Sequence, residues 1–150
     1  YAVTKAYREA VDSYLAGTYT PAKIAAWTTQ LEAVFNRGLW HGGYYLGKKL
    51  GEWSGAPGSQ ATKEKIYLGS AEKYFAEPKV GQFKIEAGIL PTGASIIIAG
   101  PTTGMIEATV TEMSVNKVVV TEAKQGDIVT IPIDSIVRPS DKLFILVDRK

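Results

Sequence analysis

Near Lys65 the spacing of apolar residues changes from steps of three and four to steps of two, so no single type of secondary structure serves both halves of the chain. Before that point Val3, Ala6, Tyr7, Ala10, Val11, Tyr14 and Leu15 form one helical stripe, with Lys5, Arg8, Glu9 and Asp12 off it. Gly17 is a fitting helix stop, because glycine takes the left-handed conformation at little cost. Thr20-Pro21 is a helix start, and Ile24, Trp27, Leu31, Val34 and Phe35 make a second stripe that ends near Asn36 to Gly38. Two amphipathic helices on a short turn predict an αα-hairpin. It cannot bury both stripes alone, so it must pack on the second half or on protein outside this chain.

After Lys65, β-branched residues dominate. Strands are predicted over 66–75, 80–86, 95–99, 105–111, 117–121, 127–133 and 143–147, separated by turns such as Glu77-Pro78, Pro91-Thr92-Gly93, Val115-Asn116 and Gln125-Gly126. Short strands at this spacing predict a small antiparallel β-barrel, with a sandwich as the alternative. Closure has a motive, since Ile96-Ile97-Ile98 and Val118-Val119-Val120 on an open edge would invite aggregation. Pro132 lacks a ladder donor and belongs at a bulge or rim. The fold class expected is therefore α+β: a helical hairpin over 1–37, an aromatic and glycine-rich linker over 38–62, and a β-barrel over 63–150.

Composition narrows the chemistry. The 150 residues contain no cysteine and one histidine, so disulfides, thiolate nucleophiles, cysteine-held zinc, a Cys-His pair and a multi-histidine metal site are all excluded for this chain. No apolar run is long enough to span a membrane and no signal segment opens the chain, which predicts a cytoplasmic protein without membrane partners. The chain starts at Tyr1 with residues that already read as mid-helix, which predicts a fragment of a longer protein.

Gly100-Pro101-Thr102-Thr103-Gly104 lacks the Gly-Lys-Ser/Thr ending and the following helix of a phosphate loop, and reads as a hairpin turn. Glu107, Glu112 and Glu122 fall on polar strand faces, while Asp127 and Asp141 occupy turn positions. No catalytic residue and no metal site is expected. The net charge is +2, and the segment from 37 to 79 alone has a basic bias, with seven bases and four acids. Within it Arg37, Trp40, His41, Tyr44, Tyr45, Lys48, Lys49 and Trp53 combine cations for phosphates with rings for stacking on bases. The competing reading is that the rings pin a glycine-rich loop and the lysines are merely solvated.

Four pieces, in this order along the chain, resemble the C-terminal part of the U32 peptidase family of collagenase-like proteases. They are Lys5-Ala6-Tyr7-Arg8-Glu9-Ala10-Val11-Asp12; Asn36-Arg37-Gly38 with Trp40-His41-Gly42-Gly43-Tyr44-Tyr45; Val80-Gly81-Gln82-Phe83-Lys84-Ile85-Glu86-Ala87; and Ala99-Gly100-Pro101-Thr102-Thr103-Gly104 with Gly126-Asp127 and Ser140-Asp141-Lys142-Leu143. Gly93-Ala94 departs from the family, where a Gly-Asp turn is common. The resemblance implies a barrel like the second domain of translation elongation factors, joined to an upstream catalytic domain of the same chain. It implies that the whole protein is a peptidase or a tRNA-hydroxylation enzyme, with any iron–sulfur cluster held by cysteines upstream and no cofactor in this piece. On that basis the chain is expected to be a non-catalytic accessory domain that helps hold RNA or tRNA. The alternatives are a module for protein or collagen-peptide substrate, or a purely structural or oligomerisation domain.

Overall fold

The computed structural model describes residues 1–34, 36, 39 and 58–149, arranged as two compact units. The first comprises Tyr1–Glu64 with Asp148–Lys150, and the second Lys65–Val147.

In the first unit, α1 (Ala2–Leu15) and α2 (Pro21–Glu32) form the expected hairpin. Gly17 has φ +67°, and the Thr18 N–H donates to the Ser13 carbonyl at 2.8 Å, which closes α1 as a Schellman turn. Thr20 caps α2 by accepting from the Lys23 N–H, with Pro21 in the first helical position. The second helix ends at Glu32, short of the expected Asn36 to Gly38. The Asn36 amide explains the early stop: its Nδ2 donates to the carbonyls of Glu32 at 3.3 Å and Val34 at 2.9 Å, taking the place of further helical turns.

The single apolar stripe expected on α1 divides in two. Ala6 and Ser13 are buried and Ala2 and Ala10 half-buried, forming a seam of small residues on the side that packs against α2. Val3, Tyr7, Val11, Tyr14 and Leu15 are exposed. At about 100° of rotation per residue the two sets lie about 120° apart around the helix. Small residues let the two backbones approach closely, and that choice turns the large side chains away.

The second unit is antiparallel throughout. It contains β1 (Lys63–Phe75, its first residues in the other unit), β2 (Val80–Ile85), β3 (Ile89–Pro91), β4 (Ser95–Gly100), β5 (Gly104–Thr109), β6 (Ser114–Val115), β7 (Val118–Val119), β8 (Glu122–Lys124), β9 (Ile128–Pro132) and β10 (Lys142–Asp148). Eight strands form one sheet in the order β5-β4-β10-β1-β2-β9-β6-β7, and β3 pairs with β8 as a separate ribbon. Gly100 to Gly104 is a hairpin turn, with those two glycines facing each other across the ladder. Pro132 is the last residue of β9, at the rim where a missing donor does no harm.

The fold class is thus the helical hairpin followed by an antiparallel β unit, but the sheet is open in its ladders, because β5 and β7 share none. Backbone bonds of the ribbon's ends span the gap. Gly93 N–H donates to the Val110 carbonyl just past β5, Thr92 N–H donates to Thr121, and Val120 N–H donates to Met113 just before β6. The ribbon strands, three residues each, are too short for alternation to reveal them, and they account for β3 and β8 being absent from the predicted strands. One core fills the inside: Leu68, Phe83, Ile85, Leu90, Ile96, Ile98, Met113, Ile131 and Leu143 are among its members, drawn from both the sheet and the ribbon. Ile96 and Ile98 are buried as the closure argument required, whereas Val118 and Val119 stand exposed on a terminal strand only two residues long. Brevity, together with Asn116 and Lys117 in the left-handed region, limits that edge.

Candidate functional site

Of the residues singled out in sequence, Arg37, Trp40, His41, Tyr44, Tyr45, Lys48, Lys49 and Trp53 lie outside the described residues. The site that the described residues build is the outer face of β1, β2 and β10. Phe83 and Ile85 of β2 and Leu143 of β10 point into the core, so alternation sends Gln82, Lys84, Lys142 and Phe144 outward. In the β1–β2 ladder Ser70 stands opposite Lys84 and Lys73 opposite Gln82, which sets both on this face.

Local irregularity in β1 brings the polar groups together. A Cβ on Gly69 would meet the Lys84 carbonyl oxygen at 1.9 Å, so only glycine admits the close crossing of the two backbones there. Just before it the ladder is irregular, because the N–H groups of Glu86 and Ala87 both donate to the Leu68 carbonyl, at 2.7 and 3.0 Å. As a result Tyr67 and Ser70 both reach Glu86: the phenol O–H donates to Oε2 at 2.7 Å and the serine hydroxyl to Oε1 at 2.8 Å. The Tyr67 bond, then the Ser70 bond, hold the Glu86 carboxyl below its ordinary range. Donation to Glu86 raises the Tyr67 phenol, with burial and the nearby negative charge adding to it. Both groups move away from neutrality, the wrong direction for an acid and base pair working near pH 7.

Cations and rings share the face. Tyr67 packs edge-on to Phe144 with centroids 5.7 Å apart, and the Lys65 ammonium lies 5.5 Å from the Phe144 centroid. Lys73 lies 4.9 Å from the ring of Phe75. These are cation–π distances, and they orient lysines that would otherwise sweep freely through solvent. The sequence carried a signal for this face that went unread: Lys65-Ile66-Tyr67, Lys73-Tyr74-Phe75 and Lys142-Leu143-Phe144 each place a lysine and a ring two apart, which on a strand is the same side.

A second feature is a pocket of about 480 Å³ in the hairpin, lined by Glu9, Asp12, Ser13, Thr18, Lys23 and Trp27. Lys23 Nζ donates to Ser13 Oγ at 3.0 Å and to Thr18 Oγ1 at 2.9 Å. The Ser–Lys contact has the composition of a hydrolytic dyad, but its geometry is that of a helix terminus. The ammonium sits on the last turn of α1, where positive charge complements the helix dipole, and the serine hydroxyl is shared with Thr18. Glu9 accepts from Trp27 Nε1 at 3.1 Å and Asp12 from Arg8 Nε at 2.9 Å, so both acids of the pocket already have partners.

The other carboxylates are occupied in turns or exposed. Asp127 accepts from the Lys124 N–H at 2.7 Å, the buried Asp141 from the Arg138 N–H at 2.8 Å, and Glu122 pairs with Lys124 at 2.9 Å. Glu107 and Glu112 are exposed. Among the described residues no three His, Cys, Asp or Glu side chains gather as a metal site, and no helix is long and apolar enough to cross a membrane.

With this geometry in place, comparison with known proteins is informative. The profile of peptidase family U32 matches residues 1–55. The chain is 47% identical over 144 residues to a collagenase of Porphyromonas gingivalis, covering 96% of this chain and 34% of that protein. It is 31% identical over 145 residues to an uncharacterised protease of Methanocaldococcus jannaschii, covering 95% of this chain and 35% of that one. The chain therefore spans about a third of the length of the curated relatives it matches. In structure, the C-terminal domain of a protein described as a U32 peptidase from Geobacillus thermoleovorans superposes with a TM-score of 0.50 at 12% identity, over 53% of this chain and 90% of that domain. The chain belongs to peptidase family U32, and its β unit has the fold of that family's C-terminal domain.

Proposed function

We propose that this chain is a non-catalytic accessory domain that helps a U32 enzyme hold an RNA substrate, with tRNA the first candidate. The observation that carries the reading is the outer β face, where Lys65, Lys73, Lys84 and Lys142 stand with Tyr67, Phe75 and Phe144 while Glu86 is engaged by two hydroxyls. Lysines neutralise phosphates and exposed rings stack on unpaired bases. Arg37, Lys48 and Lys49 are cations suited to phosphates and Trp40, Tyr44, Tyr45 and Trp53 are rings suited to bases, and with His41 they remain candidates for RNA contact by residue type. A cysteine-held cluster does not fit this chain, which has no cysteine, so no step of chemistry is assigned to one here.

The test is tRNA binding by the full U32 polypeptide, measured by fluorescence titration at two salt concentrations and repeated with Lys65→Ala/Lys73→Ala/Lys84→Ala. Binding should weaken steeply with salt, and the triple variant should bind less tightly with a shallower salt slope, by about 0.7 per lost contact to a single strand. Unchanged affinity and slope in the variant would remove the β face from the reading. A second reading is favoured by the relatives, a collagenase and an uncharacterised protease: the same rings would then hold a polypeptide. It predicts capture of a denatured collagen peptide with little salt dependence and loss on Tyr67→Ala/Phe144→Ala.

A further inference from the structure

Helix α1 presents three distinct sectors around its axis. The seam Ala2, Ala6, Ala10 and Ser13 is on the side that packs against α2. Lys5, Arg8, Glu9 and Asp12 form a polar sector, with Arg8 and Asp12 paired at 2.9 Å. The third sector, Val3, Tyr7, Val11, Tyr14 and Leu15 with Thr4 among them, is mostly apolar, uncharged and open to solvent, with Tyr7 64% and Leu15 76% exposed. An isolated exposed hydrophobe is ordinary on a protein surface, but a stripe running the length of a 14-residue helix is a contact face.

We propose that this sector of α1 is the docking surface for the part of the U32 polypeptide that lies outside these 150 residues. The occupant follows from three observations. The family profile matches residues 1–55, which contain the hairpin, and stops before the β unit. The chain corresponds to only 34% of the length of its collagenase relative, so most of such a protein lies elsewhere. The sector carries no charge, which suits a dry apolar protein surface and is unsuited to RNA, whose phosphates need cations. The inference rests on family membership and is independent of which substrate the enzyme holds. Failure of the RNA reading would leave it intact.

The experiment places a thiol at Val11→Cys or, as a reference in the polar sector, at Arg8→Cys in the full-length protein. Maleimide labelling is followed by peptide mass spectrometry, and since residues 1–150 contain no native cysteine, any label there reports the introduced one. Labelling at position 11 should be at least tenfold slower than at position 8, and the slowing should persist on dilution. Hydroxyl-radical footprinting of the unsubstituted protein gives a second measure that needs no variant: Tyr7 and Tyr14 should be protected in the full-length protein and reactive in the 150-residue chain. Equal labelling at the two positions would overturn the proposal. So would protection that disappears on dilution, the mark of a second copy, or protection equally present in the 150-residue chain.

Discussion

The two units solve the burial of apolar surface in opposite ways. In the β unit fifteen hydrophobic residues join one buried cluster, and the ribbon of β3 and β8 helps enclose it. In the hairpin α1 buries Ala6 and Ser13, α2 buries no residue fully, and the largest side chains of α1 face solvent. A sheet that curls supplies its own inner face, whereas a pair of helices has one contact line and several remaining faces. Using that line for small residues brings α1 and α2 close together but contributes little apolar burial, at about 25 cal/mol per Å² of surface removed from water. The β unit is built to be stable by itself, and the hairpin is built to be completed by something else.

That contrast can be broken by substitution. Phe83→Ala, at a fully buried position, should cost about 3–5 kcal/mol in urea unfolding, while Tyr7→Ala in the same 150-residue chain should stay within about 0.5 kcal/mol. Comparable losses at the two positions would mean that the hairpin already buries its stripe. A smaller effect sharpens the picture of how β4 and β10 meet. Asp141 is 2% exposed and accepts the Arg138 N–H, and its carboxylate lies against Gly100, where a Cβ would fall 1.7 Å from Oδ1. Asp141→Ala should cost about 1.5–3 kcal/mol, with Asp141→Asn recovering much of it, read as shifts in the urea midpoint.

The smallest effect concerns pH on the outer β face. Because Glu86 is held below its ordinary 4.5, its contribution is complete above that value and is lost as pH falls through the lower, folded-state value. Tyr67 is raised above its ordinary 10.0, so its contribution is complete below that value and is lost as pH rises through the raised one. Urea midpoints should therefore show a shallow acid-side decline that flattens in Tyr67→Phe. An identical decline in the variant would show that the Tyr67–Glu86 bond contributes nothing to it.

Much of this architecture is legible in the amino-acid sequence. Gly17, Thr20 and Pro21 marked the hairpin, because helix ends are set by local backbone chemistry. The turns at Pro91-Thr92-Gly93, Asn116 and Gly126 marked the β connections, since left-handed positions restrict residue choice. The ribbon was hidden by its length, and the early end of α2 by the amide of Asn36. The candidate surface was half legible: the Lys-x-aromatic spacing was available in the strands, but Ser70 joining Tyr67 on Glu86 depends on the doubled backbone bond to the Leu68 carbonyl, which leaves no periodic trace.

The sequence by itself determined the order of helices and strands, the places where they turn, and the lack of thiols and spare imidazoles, because all of these are properties of single residues and their near neighbours. Only the tertiary structure decided which half of the α1 stripe is covered, where the sheet's ladders stop, and which polar groups meet Glu86. Those outcomes depend on how closely two backbones approach, at Ala6 in the helices and at Gly69 in the strands. That distance is set by everything packed around them.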